Sequence, residues 1–383
     1  MLRVLTLATL FPNHLRPTLG VFVERQTKAL VAQAEVEVRV VAPVGLPLWP
    51  LSLHPHYASL RNLPLRENWN GLDVHRPRYR VWPKLGHAGT ARRMAAALLP
   101  VLQKIRRDFP FDVIATEFFW PDGPATALLA RALDVPFSIR ARGSDIHIWG
   151  MQKGIGAQVV AAGRAANGIL AVSAAMREDM IALGMPAEKI RVHYTGLDLD
   201  AFKPVDRAAA KAALGVAGPL LVTAGGLLVR KGQDLAIEAL KALPGATLIL
   251  VGDGPDRARL EGLAAGLPVR FLGVRPHGEL PGLLAAADVM VLPTVSEGLA
   301  NVWVEALACG TRVVTSDVGG AREVIDRPDY GRLVPRDPAA IAAAVRDLLD
   351  DPIPQASVRA GALRFSWERN SAELAAHLRA LVR

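Results

Sequence analysis

A chain of 383 residues with net charge +9, 51% apolar residues, 33 Gly and 28 Pro exceeds one comfortable core, suggests two domains and excludes an extended disordered protein. A single cysteine, Cys309, excludes an internal disulfide and favours a reducing cytoplasm, and the lack of any run of about 18 apolar residues excludes a membrane-spanning helix. The charge is uneven, with 24 Lys and Arg against 16 Asp and Glu in residues 1–200 and 21 against 20 in the rest, so the first half either meets an anionic partner (a phospholipid surface, a lipid-diphosphate acceptor or nucleic acid) or presents a solvated basic face.

Met1–Phe11 reads as the first strand. It is apolar but short, carries Arg3 early, runs into Pro12-Asn13 and lacks the layout of a signal peptide. Strand-like and helix-like runs then alternate to the end, the pattern of open parallel sheets covered on both faces. Gly20 precedes the amphipathic run Val21–Gln33, at the end of the first strand, where such sheets bind ligands. Strand Glu35–Pro43 follows. Residues 44–70 show no clear period, and within them Leu46–Leu53 is apolar enough to touch a membrane or a lipid acceptor, or to pack on its own domain. Arg76, Arg78, Arg80, Arg92, Arg93, Lys104, Arg106 and Arg107 supply much of the basic surplus. Helix Thr90–Asp108 is basic on one side and apolar on the other, which suits either a covering helix or docking on anionic lipid. Strands Asp112–Thr116, Pro136–Arg140 and Ala165–Ser173 come next, with helix Ala174–Leu183. The polar segment Ala141–His147 lies at a strand end, which makes Arg142 a candidate for a phosphate or sugar hydroxyl, while His147 reads as a loop residue.

The second half opens with charged, Ala-rich sequence from Asp206 to Gly215, then strand Leu220–Ala224. Gly225, Gly226, Arg230, Lys231 and Gly232 follow, ahead of helix Gln233–Leu243. A glycine turn, cations and a helix start together form an anion site. Further strands are Thr247–Val251, Val269–Val274, Asp288–Leu292, Arg312–Ser316 and Gly331–Val334. Between Leu292 and Arg312 lies the most informative stretch, Pro293–Gly310. Its helix starts near Leu299–Asn301 and stops at Gly310, with Glu297 in the turn before it and Glu305 about one turn inside. Eight residue steps along a helical rise span on the order of 12 Å at most, the reach of a nucleotide-sugar from its hexose to its ribose hydroxyls. The free N–H groups between the carboxylates, from Gly298, Leu299, Ala300 and Asn301, suit a diphosphate. Trp303, Val304, Ala306 and Leu307 bury the helix, so Glu305 needs a partner.

Glu297 and Glu305, with Pro293-Thr294, Ala306 and Gly310, resemble the E-x7-E signature of family 4 retaining glycosyltransferases (glycosyl transferases group 1). Gly20, Lys231-Gly232, Gly252-Asp-Gly-Pro255 and Arg191–Pro204 carry the resemblance over nearly the whole chain. It departs from the family pattern in four places. Leu19 stands where a second glycine is usual, Arg142 where many members have His, Thr195 where Asn is usual, and Gly226 where an Arg grips the donor diphosphate. The resemblance implies an α/β protein of two Rossmann-like, doubly wound parallel-sheet domains facing a cleft, the GT-B fold. The first would span 1–204, with a C-terminal helix at about 366–383 crossing back to it, and the second 205–365. It also implies a nucleotide-diphosphate sugar donor held by Gly226, Arg230, Lys231, Val274, Glu297, Gly298, Leu299, Ala300, Asn301 and Glu305. Gly20 and Arg142 would complete the site on closure. Glu305 would meet the ribose, Glu297 the hexose and Lys231 the diphosphate. The acceptor would be a glycan or a lipid-linked glycan at the inner membrane face, and no metal or other cofactor is required. Asp198-Leu-Asp200 has metal-binding spacing but reads as structural. A nucleotide-sugar 2-epimerase of the same architecture is the alternative. A nucleic-acid-binding protein fits the charge but predicts a basic–aromatic alternation that is absent.

Overall fold

The computed structural model describes residues 1–82 and 87–382. The chain divides into two compact units, one formed by Met1–Gly196 with the segment from Trp367 onward, the other by Leu197–Ser366. Phe202, within the 1–204 span expected for the first domain, is buried within the second unit, where Arg359 donates to its carbonyl at 2.6 Å.

The first unit contains strands β1 (Leu2–Leu7), β2 (Val36–Val41), β3 (Val44–Pro47), β4 (Arg66–Trp69), β5 (Leu72–His75), β6 (Arg78–Val81), β7 (Val113–Thr116), β8 (Phe137–Ala141), β9 (Gly168–Ala171) and β10 (Ile190–Val192). Eight of them form one sheet in the order β10-β9-β8-β7-β1-β2-β5-β4, and only the β4–β5 pair is antiparallel. Alternation along β1 explains how the sheet is covered on both faces. Leu5 and Leu7 join a core with Leu98 and Leu102 of helix Thr90–Asp108, while Leu2 and Val4 face Leu374 and Leu378 of the last helix, Trp367–Val382. That helix is also tied down by polar contacts: the His377 ring pairs with Ser138 Oγ at 2.8 Å, the His193 ring with the Asn370 carbonyl at 2.8 Å, and Gln33 donates to Ser371 Oγ at 2.8 Å.

Residues 44–70, aperiodic in sequence, hold elements too short to generate a period. β3 pairs with β6 outside the main sheet, helix Pro55–Arg61 follows, and β4 closes an edge hairpin with β5. Arg76, expected on the basic surface, is instead buried at 1% exposure. Its guanidinium meets Glu67 and the Pro12 carbonyl and lies against the rings of Phe11 and Trp69, so it cannot serve a surface.

The second unit holds an all-parallel sheet of β11 (Leu220–Ala224), β12 (Thr247–Val251), β13 (Val269–Gly273), β14 (Val289–Leu292), β15 (Arg312–Ser316) and β16 (Gly331–Val334), in the order β13-β12-β11-β14-β15-β16. The chain runs outward from β11 to β13, then returns to β14 beside β11 and runs the other way. This reversal opens a crevice at the C-terminal ends of β11 and β14, where doubly wound sheets bind their ligands. The helix after β11 ends at Leu240 rather than Leu243. Its last residues tighten into i→i−3 bonds because Pro244 disfavours helical geometry at Leu243.

Candidate active site

The loops leaving β11 and β14 are joined by backbone contacts. Val295 N–H donates to the Arg230 carbonyl at 2.8 Å, and Thr294 Oγ1 lies 3.2 Å from the same carbonyl. Arg336 Nε holds the Pro293 carbonyl at 2.8 Å. This brings the Lys231 ammonium into an ion pair with Glu297. The same carboxylate oxygen takes Thr294 Oγ1 at 3.2 Å and lies 3.8 Å from Arg230. Lys231 is the more enclosed of the two cations, its side chain 15% exposed against 46% for Arg230.

Glycines set the loop shapes. Gly232 adopts φ 74° and caps helix Gln233–Leu240, whose first side chain donates back to the Gly226 carbonyl at 3.0 Å. Gly319, at φ 50° after β15, packs so closely on the Glu297 carbonyl that a Cβ would collide with it, and Gly320 N–H donates to the Gly298 carbonyl at 2.8 Å. The Gly319-Gly320 turn thus supports the carboxylate-bearing turn from below. By contrast, Gly226 has room: a Cβ there would meet nothing nearer than the Leu228 side chain at 3.7 Å. The missing arginine is not excluded by crowding.

Helix Asn301–Ala308 starts from Ala300, which offers no side-chain cap, and no acidic residue occupies its first turn. Among the described residues, the N–H groups of Gly298, Leu299, Ala300 and Asn301 have no hydrogen-bond acceptor, and they sit beside Glu297. Gly298, Leu299 and Ala300 are buried and Asn301 is exposed. Four residues into the helix, Glu305 is 7% exposed. The partner its burial demands is His277, whose Nε2 lies 3.2 Å from the carboxylate and whose ring packs edge-on against Phe202 at 5.3 Å between centroids. Sequence reasoning missed His277, because it follows β13 in a short turn that matches no motif. The signal was the buried carboxylate itself. Val274, just after β13, is 70% exposed. Burial, with Glu305 nearby, pushes the Cys309 thiol up to about 12, so this cysteine is an inert core residue.

Gly20 and Arg142 lie in the first unit, at the reversal between β1 and β7. Gly20 adopts φ 66° at the start of helix Val21–Val31, where a Cβ would strike the Leu10 carbonyl. Arg142 is turned inward. Its guanidinium pairs with Glu117, reaches Gln26 Oε1 at 3.3 Å and stacks over Phe22 at 4.6 Å. Asp145 receives N–H bonds from Phe119, Arg142 and Gly143 at 2.8–3.1 Å, fixing the loop after β8. Asp122, wholly buried under Thr9 N–H, is pushed up to about 7, first by burial and then by the nearby Asp145 and Glu117. Arg142 therefore organises a buried ionic cluster, and its head group is already engaged.

Residues 19–201 match the family described as Glycosyltransferase Family 4, and residues 218–351 match Glycosyl transferases group 1. The chain is 33% identical to D-inositol 3-phosphate glycosyltransferase 1 of Catenulispora acidiphila, over 69% of this chain and 71% of that protein. It is 39% identical to a GDP-mannose-dependent alpha-(1-6)-phosphatidylinositol dimannoside mannosyltransferase of Mycobacterium tuberculosis, over about half of each chain (49% and 51%). Among solved structures, HepE of Anabaena in complex with UDP superposes with a TM-score of 0.74 over the full length of both chains at 21% identity, a likeness of fold. The chain belongs to the family 4, group 1 glycosyltransferases, and it is a transferase of the GT-B fold.

Proposed function

We propose that the enzyme moves a sugar, with retention of anomeric configuration, from a nucleotide-diphosphate donor to a hydroxyl of a glycan or lipid-linked acceptor. The work would be done at the cytoplasmic membrane face, in cell-surface or exopolysaccharide synthesis. The observation that carries this reading is the Lys231–Glu297 pair beside an uncapped helix start, with Glu305 one turn further on. In the proposed reaction, Glu305 accepts from the ribose hydroxyls and Glu297 from the hexose C3 and C4 hydroxyls. Lys231 and the N–H groups of residues 298–301 stabilise the diphosphate where its charge grows. The bond from the anomeric carbon to the diphosphate breaks as the bond to the acceptor oxygen forms on the same face. The acceptor proton passes to the departing phosphate, so no side chain serves as covalent nucleophile. With Lys231 and Arg230 as cations, the scheme requires no metal. The names of the relatives, and the UDP and UDP-glucose found in HepE crystals, support a nucleotide-sugar donor. The basic first half, and the absence among the described residues of a helix long and apolar enough to span a bilayer, are compatible with reversible membrane association.

Calorimetry with UDP, GDP and ADP, followed by NMR of the product made from the matching donor sugar, tests the proposal. Binding of one nucleotide and an axial-to-axial or equatorial-to-equatorial transfer is expected. Inverted product overturns the retaining mechanism, and release of an epimer without acceptor identifies an epimerase.

A further inference from the structure

The first unit carries a groove of about 720 Å³ between the β3–β6 pair and helix Thr90–Asp108. Leu46, Tyr79, Ala96 and Ala97 line it, and Trp49 and Trp82 stand at its rim. Trp49 is 77% exposed and Trp82 49%, while Leu48, Leu51 and Leu53 beside them are 46%, 54% and 60% exposed. Single exposed apolar side chains are normal, but Leu48, Trp49 and Trp82 lining one groove, with Leu51 and Leu53 exposed in the turn that follows Trp49, are not. Four arginines line the same groove, Arg61, Arg78, Arg80 and Arg93, and no Asp or Glu does. The segregation is wider than the groove, since no acidic residue occurs between Glu37 and Glu67 or between Asp73 and Asp108.

These groups are arranged, not scattered. Arg78 turns inward to the carbonyls of Arg76 and Leu63 and fixes the strand. Arg93 donates to the Arg80 carbonyl at 3.1 Å and lies over the Trp82 ring at 4.9 Å, holding that indole at the rim. Arg61, Arg80 and Arg92 remain exposed. Tyr79 lines both this groove and a smaller pocket of about 260 Å³ containing Thr9 and Phe11, so the groove adjoins the C-terminal end of β1.

A nucleic acid would match the arginines but leave the leucines in water. A neutral glycan would stack on the indoles but have no use for the cations. An acidic phospholipid leaflet matches both, because indoles and leucines settle at the headgroup–acyl boundary while arginines meet the phosphates. We propose that this face is a membrane-docking surface for acidic phospholipid, with Trp49, Leu51 and Leu53 entering the leaflet and Arg61, Arg80 and Arg92 contacting phosphate. It rests on the lipid-linked acceptor reading for its purpose, not for the contact itself.

The full chain is floated with vesicles of phosphatidylcholine alone and of phosphatidylcholine mixed equally with phosphatidylglycerol, at low and moderate salt. Binding to the acidic vesicles only, reversed by salt, is expected. Near an acidic surface each cation contributes about fivefold in partition, so Arg80→Glu with Arg92→Glu lowers the bound fraction by at least about tenfold. Trp49→Ser with Leu51→Ser and Leu53→Ser abolishes binding, and Trp49→Phe removes a blue shift of fluorescence seen on adding acidic vesicles. No flotation at low salt, equal flotation on neutral vesicles, or wild-type flotation of the triple serine variant overturns the proposal. Nucleoside-diphosphate affinity is measured on the same samples. Intact affinity without flotation removes the surface alone, whereas absent nucleotide binding removes the transferase site.

Discussion

Glu305→Gln is the sharpest test of the donor site. The side chain is 7% exposed and keeps its volume on substitution, so the helix packing of Trp303 and Leu307 is undisturbed. What changes is charge. A carboxylate accepts on both oxygens, whereas the amide keeps one acceptor and gains a donor that a ribose hydroxyl must reorient to use. Hydrogen bonds to a charged group contribute roughly 1.5–3 kcal/mol, and little water reaches this site to replace them. A loss of about 2 kcal/mol corresponds to roughly 30-fold weaker binding of the nucleoside diphosphate. His277, 3.2 Å away, pairs with the same carboxylate. His277→Ala therefore serves as a companion, and the double variant reports whether the two residues act through one another. Isothermal calorimetry, with melting curves to confirm an unchanged fold, gives the answer. Unchanged affinity in a folded Glu305→Gln protein would remove Glu305 from nucleotide recognition and refute the reasoning.

Lys231→Ala lowers turnover by on the order of a hundredfold, more than it raises the donor KM, because the charge it meets is largest in the transition state. Near-full turnover in that variant, with activity abolished by Arg230→Ala, would assign the role to the other cation. Gly226→Arg is tolerated, since its Cβ makes only ordinary van der Waals contact, and tightens donor binding by up to about tenfold once side-chain ordering offsets part of a charged hydrogen bond; weaker binding in calorimetry counts against a diphosphate near this turn. Gly319→Ala displaces the Glu297 carbonyl and adds left-handed backbone strain, so donor affinity and melting temperature fall together. Burial holds His377 down to about 4, so the unfolded chain binds the extra proton between about pH 6.5 and 4. Its contribution is therefore complete above pH 6.5 and fades as pH falls towards 4, by about 3 kcal/mol in full. His377→Gln flattens that stretch of the melting profile, and an unchanged slope disproves the assignment.

Much of this architecture is legible in the sequence where packing imposes a period. β11, β12, β15 and helix Thr90–Asp108 begin and end at the residues their apolar patterns mark, because each is buried against neighbours on known faces. The Pro293–Gly310 stretch is equally readable, since a buried helix with a carboxylate in it is chemically conspicuous. Three features were not legible. The β3–β6 pair comprises four-residue strands, too short for alternation to register. Arg76 looks like its neighbours Arg78 and Arg80 in sequence, and only the fold reveals Glu67 and the Pro12 carbonyl waiting for it. Arg142 stands where the resemblance places a His in many members, but its engagement by Glu117 depends on strands β7 and β8 lying side by side.

The Lys231–Glu297 ion pair bears on how the proposed donor would enter. A half-buried carboxylate without a partner and a lone ammonium in the same crevice would each be costly. Pairing them holds both groups in the crevice at little penalty. Arrival of a diphosphate lets Lys231 exchange one oxyanion for another, so its charge is never stranded. Glu297 would lose its ammonium but keep Thr294 Oγ1, now 3.2 Å away, and the Arg230 guanidinium, now 3.8 Å away, and its freed lone pairs would be open to the proposed sugar hydroxyls. Arg230, more exposed than Lys231, is thereby better read as the cation that stays with the carboxylate than as the one that follows the phosphate. The two adjacent cations, indistinguishable by spacing, would thus take separate roles set by their burial.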